Sequence, residues 1–474
     1  MFKTLFFDNR QLLALTLMVI VVSGLSALLT LPRLEDPRIK NRNPVIVTLL
    51  PGASAERVEA LVTKKLEEEL REVSEIKELE SDSRANVSLI TIELDDNVYD
   101  TESVFTRLRD KLADVASDLP EGASVPDFDD ERGAVAYTMI VGVSWNNDSE
   151  PVMGVLGRTA EELADRLRNI PGTDLVKRFG DPDEEITVTL DRDRIAQLGL
   201  TVPAIQARLR QADSKLPSGT LRSEEQNLVV EVRGDFRTLA RIRNVPLGSD
   251  GLGQLIRLGD VETIEKSYRE PPTEIGWAQG KRSVYLAARM LDDRRIDLWM
   301  NDAKAAVDDF QQSLSPSVRL IEVFNQADYT SERLGELGSN LVMGAGVVVL
   351  VIFFMMGWRS SILVGLALPL VSAMVLFAML LIGIPLHQMS IFGLIVAMGL
   401  LIDNAIVAVD DVRSEIKKGL APEEAIKRTI GHLFVPLLGS TLTTVVAFSP
   451  ILLLPGSVGE FVGTIAMTVI LGVV

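Results

Sequence analysis

The chain of 474 residues has no cysteine and only two histidines. Without thiols, neither a disulfide framework nor a thiolate metal site is available. His387 and His432 both stand beside apolar segments and read as boundary residues rather than ligands. Neither G-x-x-x-x-G-K-[ST] nor G-x-G-x-x-G occurs, so no nucleotide-binding signature is present. Cations are scarce where the chain is apolar. Residues 1–32 and 335–474 hold 8 Lys/Arg against 9 Asp/Glu, which leaves 40 basic and 57 acidic residues for 33–334. The middle of the chain thus carries −17 of the total −18, an acidic solvated body unsuited to nucleic acid.

What is abundant is apolar sequence. With 47% hydrophobic residues and a mean hydropathy of +0.22, the chain reads as a membrane protein with a large polar portion. Residues 12–31 form an uncharged run behind Lys3 and Arg10, longer than a signal-peptide core of about 7–15 residues, and Pro32 ends it. This is expected to be a retained first span. Four further spans are expected at 337–358, 362–384, 390–412 and 433–454. A sixth begins at Phe461 and supplies 14 residues, so the chain reads as part of something longer. If the spans alternate, Lys3, Arg10, Arg359, Arg413, Lys417, Lys418, Lys427 and Arg428 share one side. The loops 383–389 and 455–460 have no cation. The positive-inside rule makes the first side cytoplasmic and puts the acidic domain outside the cytoplasm.

Between the first two spans, 33–334 contains no other membrane-length run. PVIVTLL (44–50) suits a buried strand, Pro51-Gly52 a turn, and 54–73 a helix with apolar Val58, Leu61, Val62, Leu66 and Leu70. Strands are expected at 76–81 and 87–94, and a helix at 101–117. The order then recurs: strand 138–145, helix 157–170, strands 175–179 and 186–190, helix 202–212. Two β-α-β-β-α units suggest tandem split-βαβ subdomains. Residues 220–290 are Gly-rich and β-rich and read as an inserted subdomain. Helix 296–314 and strand 318–325 return the chain to the membrane.

The fourth span, SIFGLIVAMGLLIDNAIVAVDDV (390–412), places Asp403 and Asn404 near its middle. A charge at that depth costs on the order of 3 kcal/mol, and the default reading of such a carboxylate is an ion or proton site. Gly399, Leu400, Ile406, Val407 and Asp410 share its helical face, and Gly399 is expected to admit a neighbouring backbone. No span carries Lys or Arg, so desolvation favours the neutral acid of Asp403. The hydroxyls of Ser440, Thr441, Thr443 and Thr444 are candidate donors to it.

These residues resemble a known family. GLLIDNAIVAVDDV on the fourth span, LPRLEDP after the first and VTLLPGAS before the first long helix, in this order, resemble the resistance-nodulation-division (RND) efflux pumps of Gram-negative bacteria. The likeness is to the hydrophobe/amphiphile efflux branch and to the N-terminal half of such a protein. It implies a multi-span α-helical membrane protein with a large periplasmic α+β domain: ferredoxin-like porter subdomains over 33–215 and 291–334, a β-rich docking subdomain over 216–290, the N-terminus and first span in 1–32, and spans two to six in 335–474. It further implies a homotrimer in the inner membrane, driven by proton-motive force without a bound cofactor. Such a pump exports amphiphilic compounds with a periplasmic adaptor and an outer-membrane channel. The resemblance implies a proton relay of two adjacent Asp on this helix and a Lys on a span of the second half. Here the positions are Asp403 and Asn404, which leaves Asp403 as the ionisable member. Tyr137 and Phe179 match the family's drug-pocket positions. Met139, Met153, Met290 and Met300 read as core filling. Two alternatives stay open: a related machine for lipid transport or protein secretion, and a membrane-anchored binding protein in which Asp403 is structural.

Overall fold

The computed structural model describes residues 9–131, 136–213, 215–222, 227–233, 236, 238–249 and 254–474. Among them, six helices are long and apolar enough to cross a membrane: Arg10–Thr30, Gln326–Met356, Trp358–Ile382, Gln388–Lys417, Pro422–Leu452 and Gly456–Val473. All six expected spans are present, and each starts earlier than expected. The fifth starts at Pro422 because a proline suits the first helical position, and Glu423 and Glu424 sit at the positive end of the helix dipole. The sixth starts at Gly456 and has 18 residues rather than the 14 expected. The second grows directly out of strand Val318–Asn325, where the Asn325 side chain accepts from Ala327 N at 3.0 Å.

Among the described residues the polar portion contains two larger antiparallel sheets, each backed by helices, and three two-stranded ones. The first has the order Ile76–Arg84, Val87–Leu94, Val45–Leu49, Asp127–Asp129. Val87–Leu94 alternates half-buried and buried residues along its whole length, the pattern of a strand with one face on a core. Ile90, Ile92 and Leu94 pack there on Val58, Val62 and Leu66, and on Phe105 and Leu108 of helix Thr101–Ala116. Within the first helix, Glu59–Thr63 is a π-helical turn.

The second sheet corrects the expected layout. Its order is Gly276–Ala278, Lys281–Met290, Met139–Trp145, Val318–Asn325, with Thr173–Phe179 also on Lys281–Met290. The strand at the end of the stretch expected as an insertion therefore sits inside the sheet of the second unit, with Val284 opposite Val143. Strand Glu184–Leu190 is not in that sheet. It pairs with Glu262–Tyr268, and helix Val202–Ala212 contributes Ile205 to a third core with Ile242, Leu247, Leu258 and Ile264. The physical reason lies in the helices competing to cover the second sheet. Val202–Ala212 buries only Ile205. Ile296–Ser313 offers a stripe of Ile296, Trp299, Met300, Ala303, Val307 and Phe310, and this wider apolar face packs on the sheet beside Met153–Arg168. Met139, Met153, Met290 and Met300 all lie in that core.

In the bundle, first and third spans meet at Gly24, where an added Cβ would stand 2.3 Å from Ala373 Cβ and 2.6 Å from its Cα. Backbone blocks relief on that side. Gly24→Val in the full-length protein is expected to force these helices apart at a cost of about 1–3 kcal/mol. The check is a lower thermal midpoint in detergent; an unchanged midpoint would show that the contact is not tight.

Candidate functional site

The fourth span starts with a reciprocal cap. His387 N donates to Ser390 Oγ at 2.9 Å, and Ser390 N donates to His387 Nδ1 at 3.4 Å. Burial pushes the imidazole down from 6.5 to about 4, so His387 is neutral and able to accept. The unfolded chain binds this proton more readily, so the stabilisation is complete above about pH 6.5 and is lost as pH falls towards 4. In all it amounts to about 3 kcal/mol. Thermal midpoints of the full-length protein should fall between about pH 7 and about pH 5, and His387→Gln should flatten that slope. A slope unchanged by the substitution would assign it elsewhere.

Below the cap, the LPRLEDP segment holds the helix in place. Leu386 N donates to Pro32 O at 2.8 Å, Leu34 N to Leu386 O at 3.1 Å and Gln388 N to Glu35 O at 3.1 Å. The same segment accepts from Ile296 N at Arg33 O and reaches Gln326 Nε2 with Glu35. It ties the first, second and fourth spans to the second sheet's helix. This tying role was not legible in the sequence, where the segment served only as a motif of the family resemblance.

The sixth span packs closest against the Asp403 helix. A Cβ on Gly393 would meet Ile465 O and Thr468 Cβ at 2.7 Å, and one on Gly472 would meet Ala397 Cβ at 2.5 Å. The close approach expected at Gly399 is thus found at Gly393. At Gly399 an added Cβ meets nothing within 4 Å. Small residues occur on several faces of this helix, so their presence alone gave no direction.

Asp403 lies 15 residues into the helix, roughly 22 Å along it. Its side chain is exposed, and neither it nor the half-buried Asn404 has a hydrogen bond or ion pair among the described residues. Phe392, Val396, Gly399, Leu400, Val407 and Asp410 are exposed with it and form one uncovered stripe at helical spacing. Ile406, expected on this face, instead packs towards Ile352, Leu368 and Met398. Two of the four expected hydroxyl donors turn away: Thr443 Oγ1 donates to Gly439 O at 2.8 Å and Thr444 Oγ1 to Ser440 O at 3.0 Å, within their own helix.

A buried ion pair links the sixth span to the first sheet. Arg42, 4% exposed, donates to Glu460 at 2.6 Å from Nη2 and at 3.2 Å from Nη1. Lys40 N adds a bond to the same carboxylate at 2.8 Å, and Gly456 N donates to Asp96 O at 3.0 Å. In the polar portion, Tyr137 and Phe179 come together edge to face, with ring centroids 6.0 Å apart and planes at 78°. Tyr285 stands opposite Phe179 on the next strand. Burial pushes the Tyr137 hydroxyl above its ordinary value.

These features define a polytopic helical membrane protein with an ionisable group exposed at mid-depth and a folded α+β portion tied to its spans. Residues 2–474 match the AcrB/AcrD/AcrF family, and the chain belongs to that family. It is 26% identical over 470 residues to an uncharacterized transporter of Haemophilus influenzae, covering 98% of this chain and 44% of the relative. It is 24% identical over 458 residues to the multidrug resistance proteins MdtC of Photorhabdus laumondii and Klebsiella pneumoniae, covering 96% of this chain and 43% and 44% of theirs. The chain therefore spans somewhat under half the length of the curated relatives it matches.

Proposed function

We propose that this chain forms the N-terminal portion of a proton-driven exporter of amphiphilic compounds in the inner membrane of a Gram-negative bacterium. One observation carries the reading: Asp403 stands exposed at mid-span on an uncovered stripe, with no cation or donor among the described residues to hold it. A carboxylate exposed at that depth can gain and release a proton, and each charge moved through the potential yields about 2.3 kcal/mol per 100 mV. Asn404 beside it cannot ionise and acts as a neutral neighbour. The name multidrug resistance protein, borne by relatives, suggests the cargo class.

The rest of the reading follows the family. The two large sheets, the second with strand Lys281–Met290 in it, serve as porter subdomains on the periplasmic side, and the unit around the third core, which holds strands Glu184–Leu190 and Glu262–Tyr268, serves as the docking subdomain towards an adaptor and an outer-membrane channel. The working unit is a homotrimer. The edge-to-face pair Tyr137–Phe179 offers cargo a large apolar contact with weak directional demands. The positive-inside rule supports a cytoplasmic side for Arg359 and the 413–428 segment.

The test is accumulation of an amphiphilic cationic dye in cells that lack their own pumps and carry the full-length transporter. Energised cells should retain less dye than controls, and a protonophore should erase the difference. Equal accumulation, or export that survives the protonophore, would overturn the cargo or the coupling respectively.

A further inference from the structure

At the end of the bundle assigned to the cytoplasm, a cavity of about 700 Å³ opens between the second–third span turn and the fourth span. Its walls are apolar, formed by Trp358, Leu363, Val412 and Ile416. Three cations, Arg359, Arg413 and Lys417, stand around it. The Arg359 guanidinium lies over the Trp358 ring at 5.4 Å, and Arg413 Nη1 donates to Met356 O. None of the three pairs with a carboxylate among the described residues. Three acids at this end are engaged elsewhere: Asp411 accepts from Thr429 at 2.6 Å, Glu415 pairs with Lys418 at 2.7 Å and Arg428 at 3.2 Å, and Glu423 pairs with Lys427 at 2.5 Å.

We propose that this cavity binds one anionic phospholipid of the cytoplasmic leaflet, its phosphate among Arg359, Arg413 and Lys417 and its acyl chains along Trp358, Leu363, Val412 and Ile416. Charge complementarity selects the occupant. Three unneutralised cations surround one apolar cavity at the depth where headgroups lie, and basic pockets between spans on the cytoplasmic side suit anionic headgroups. The volume falls within the range of small-molecule sites, and the apolar walls suit a ligand with a tail better than a free phosphate. The cavity is separate from the proton site. At 3.6 residues per turn, Val412 points to the side of the helix opposite Asp403, and Lys417, which returns to the Asp403 side, lies roughly 21 Å further along the helix. The lipid is a bound component and not cargo. The inference rests on the cytoplasmic placement given above, but its readout is bound lipid, so its failure and a failure of export are separate results.

Native mass spectrometry of the full-length transporter in mild detergent, titrated with palmitoyl-oleoyl phosphatidylglycerol, is the test. A discrete lipid adduct is expected, absent with phosphatidylcholine. Its affinity should fall roughly tenfold or more in the double variant R359Q/K417Q. Both side chains are exposed, so this change removes charge without opening a core. V412W, which fills the cavity and keeps all three cations, should lose the adduct to a similar degree, whereas R359K should keep it. Each variant is read alongside its elution volume, which should match the parent. An adduct unchanged in R359Q/K417Q, or unchanged in V412W, overturns the proposal. Displacement by millimolar glycerol phosphate also overturns it, because the occupant would then be a soluble phosphate.

Discussion

Asp403→Asn in the full-length transporter is expected to reduce dye export to the level of cells without the pump, while the amount of protein and its thermal midpoint stay as they were. The two halves of that expectation come from the same observation. Asp403 makes no hydrogen bond or ion pair among the described residues, so an isosteric amide removes none of those contacts, and stability should move by no more than about 0.5 kcal/mol. What disappears is the one group on the stripe at mid-depth that can change charge. Asn404→Asp supplies a second carboxylate at the adjacent position and should leave export intact or raise it. The measurement is dye accumulation at matched expression for the three versions. Export that survives Asp403→Asn would make the carboxylate a structural residue and would remove the basis of the proton-driven reading.

The second large effect belongs to Arg42. Its guanidinium is almost wholly buried against Glu460, which is itself 17% exposed and also accepts from Lys40 N. Truncating one member strands the other charge, a change that typically costs about 3–5 kcal/mol. Arg42→Ala should therefore lower the thermal midpoint of the full-length protein sharply, and Glu460→Ala should do nearly the same. Two singles that are each severe, followed by a double variant Arg42→Met/Glu460→Leu that recovers most of the loss, is the pattern of a buried pair. Additive losses in the double variant would show that the residues act separately.

The sequence made the apolar elements legible and left the long-range ties hidden. Six spans were readable because hydrocarbon demands long uncharged runs, and helix Val202–Ala212 and strands Val87–Leu94 and Val318–Asn325 were placed at their observed bounds. Strand pairing was less accessible. Lys281–Met290 reads as β wherever it sits, and its partner Met139–Trp145 lies some 140 residues earlier. Arg42 and Glu460 are 418 residues apart, with no local pattern to join them. The threonines of the fifth span looked like donors to Asp403, but a hydroxyl in a helix has a carbonyl of its own helix within reach, and Thr443 and Thr444 use it. At the candidate site the ionisable residue was readable from its cost in a bilayer. The side of the helix left uncovered was not, because Ile406 and Val407 are equally apolar and only packing separates them.

The two ties between spans and polar portion run to different sheets. The fourth span's start is held through Pro32–Glu35 to Ile296 and Gln326, which flank the second sheet, whereas the sixth span's start is held through Glu460 and Gly456 to Arg42 and Asp96 beside the first. The machinery is that of a pair of levers with separate fulcrums. A slide of the fourth helix past the sixth along the Gly393–Thr468 seam would pull on the two sheets separately, so these ties would couple such a displacement to the gap between the sheets.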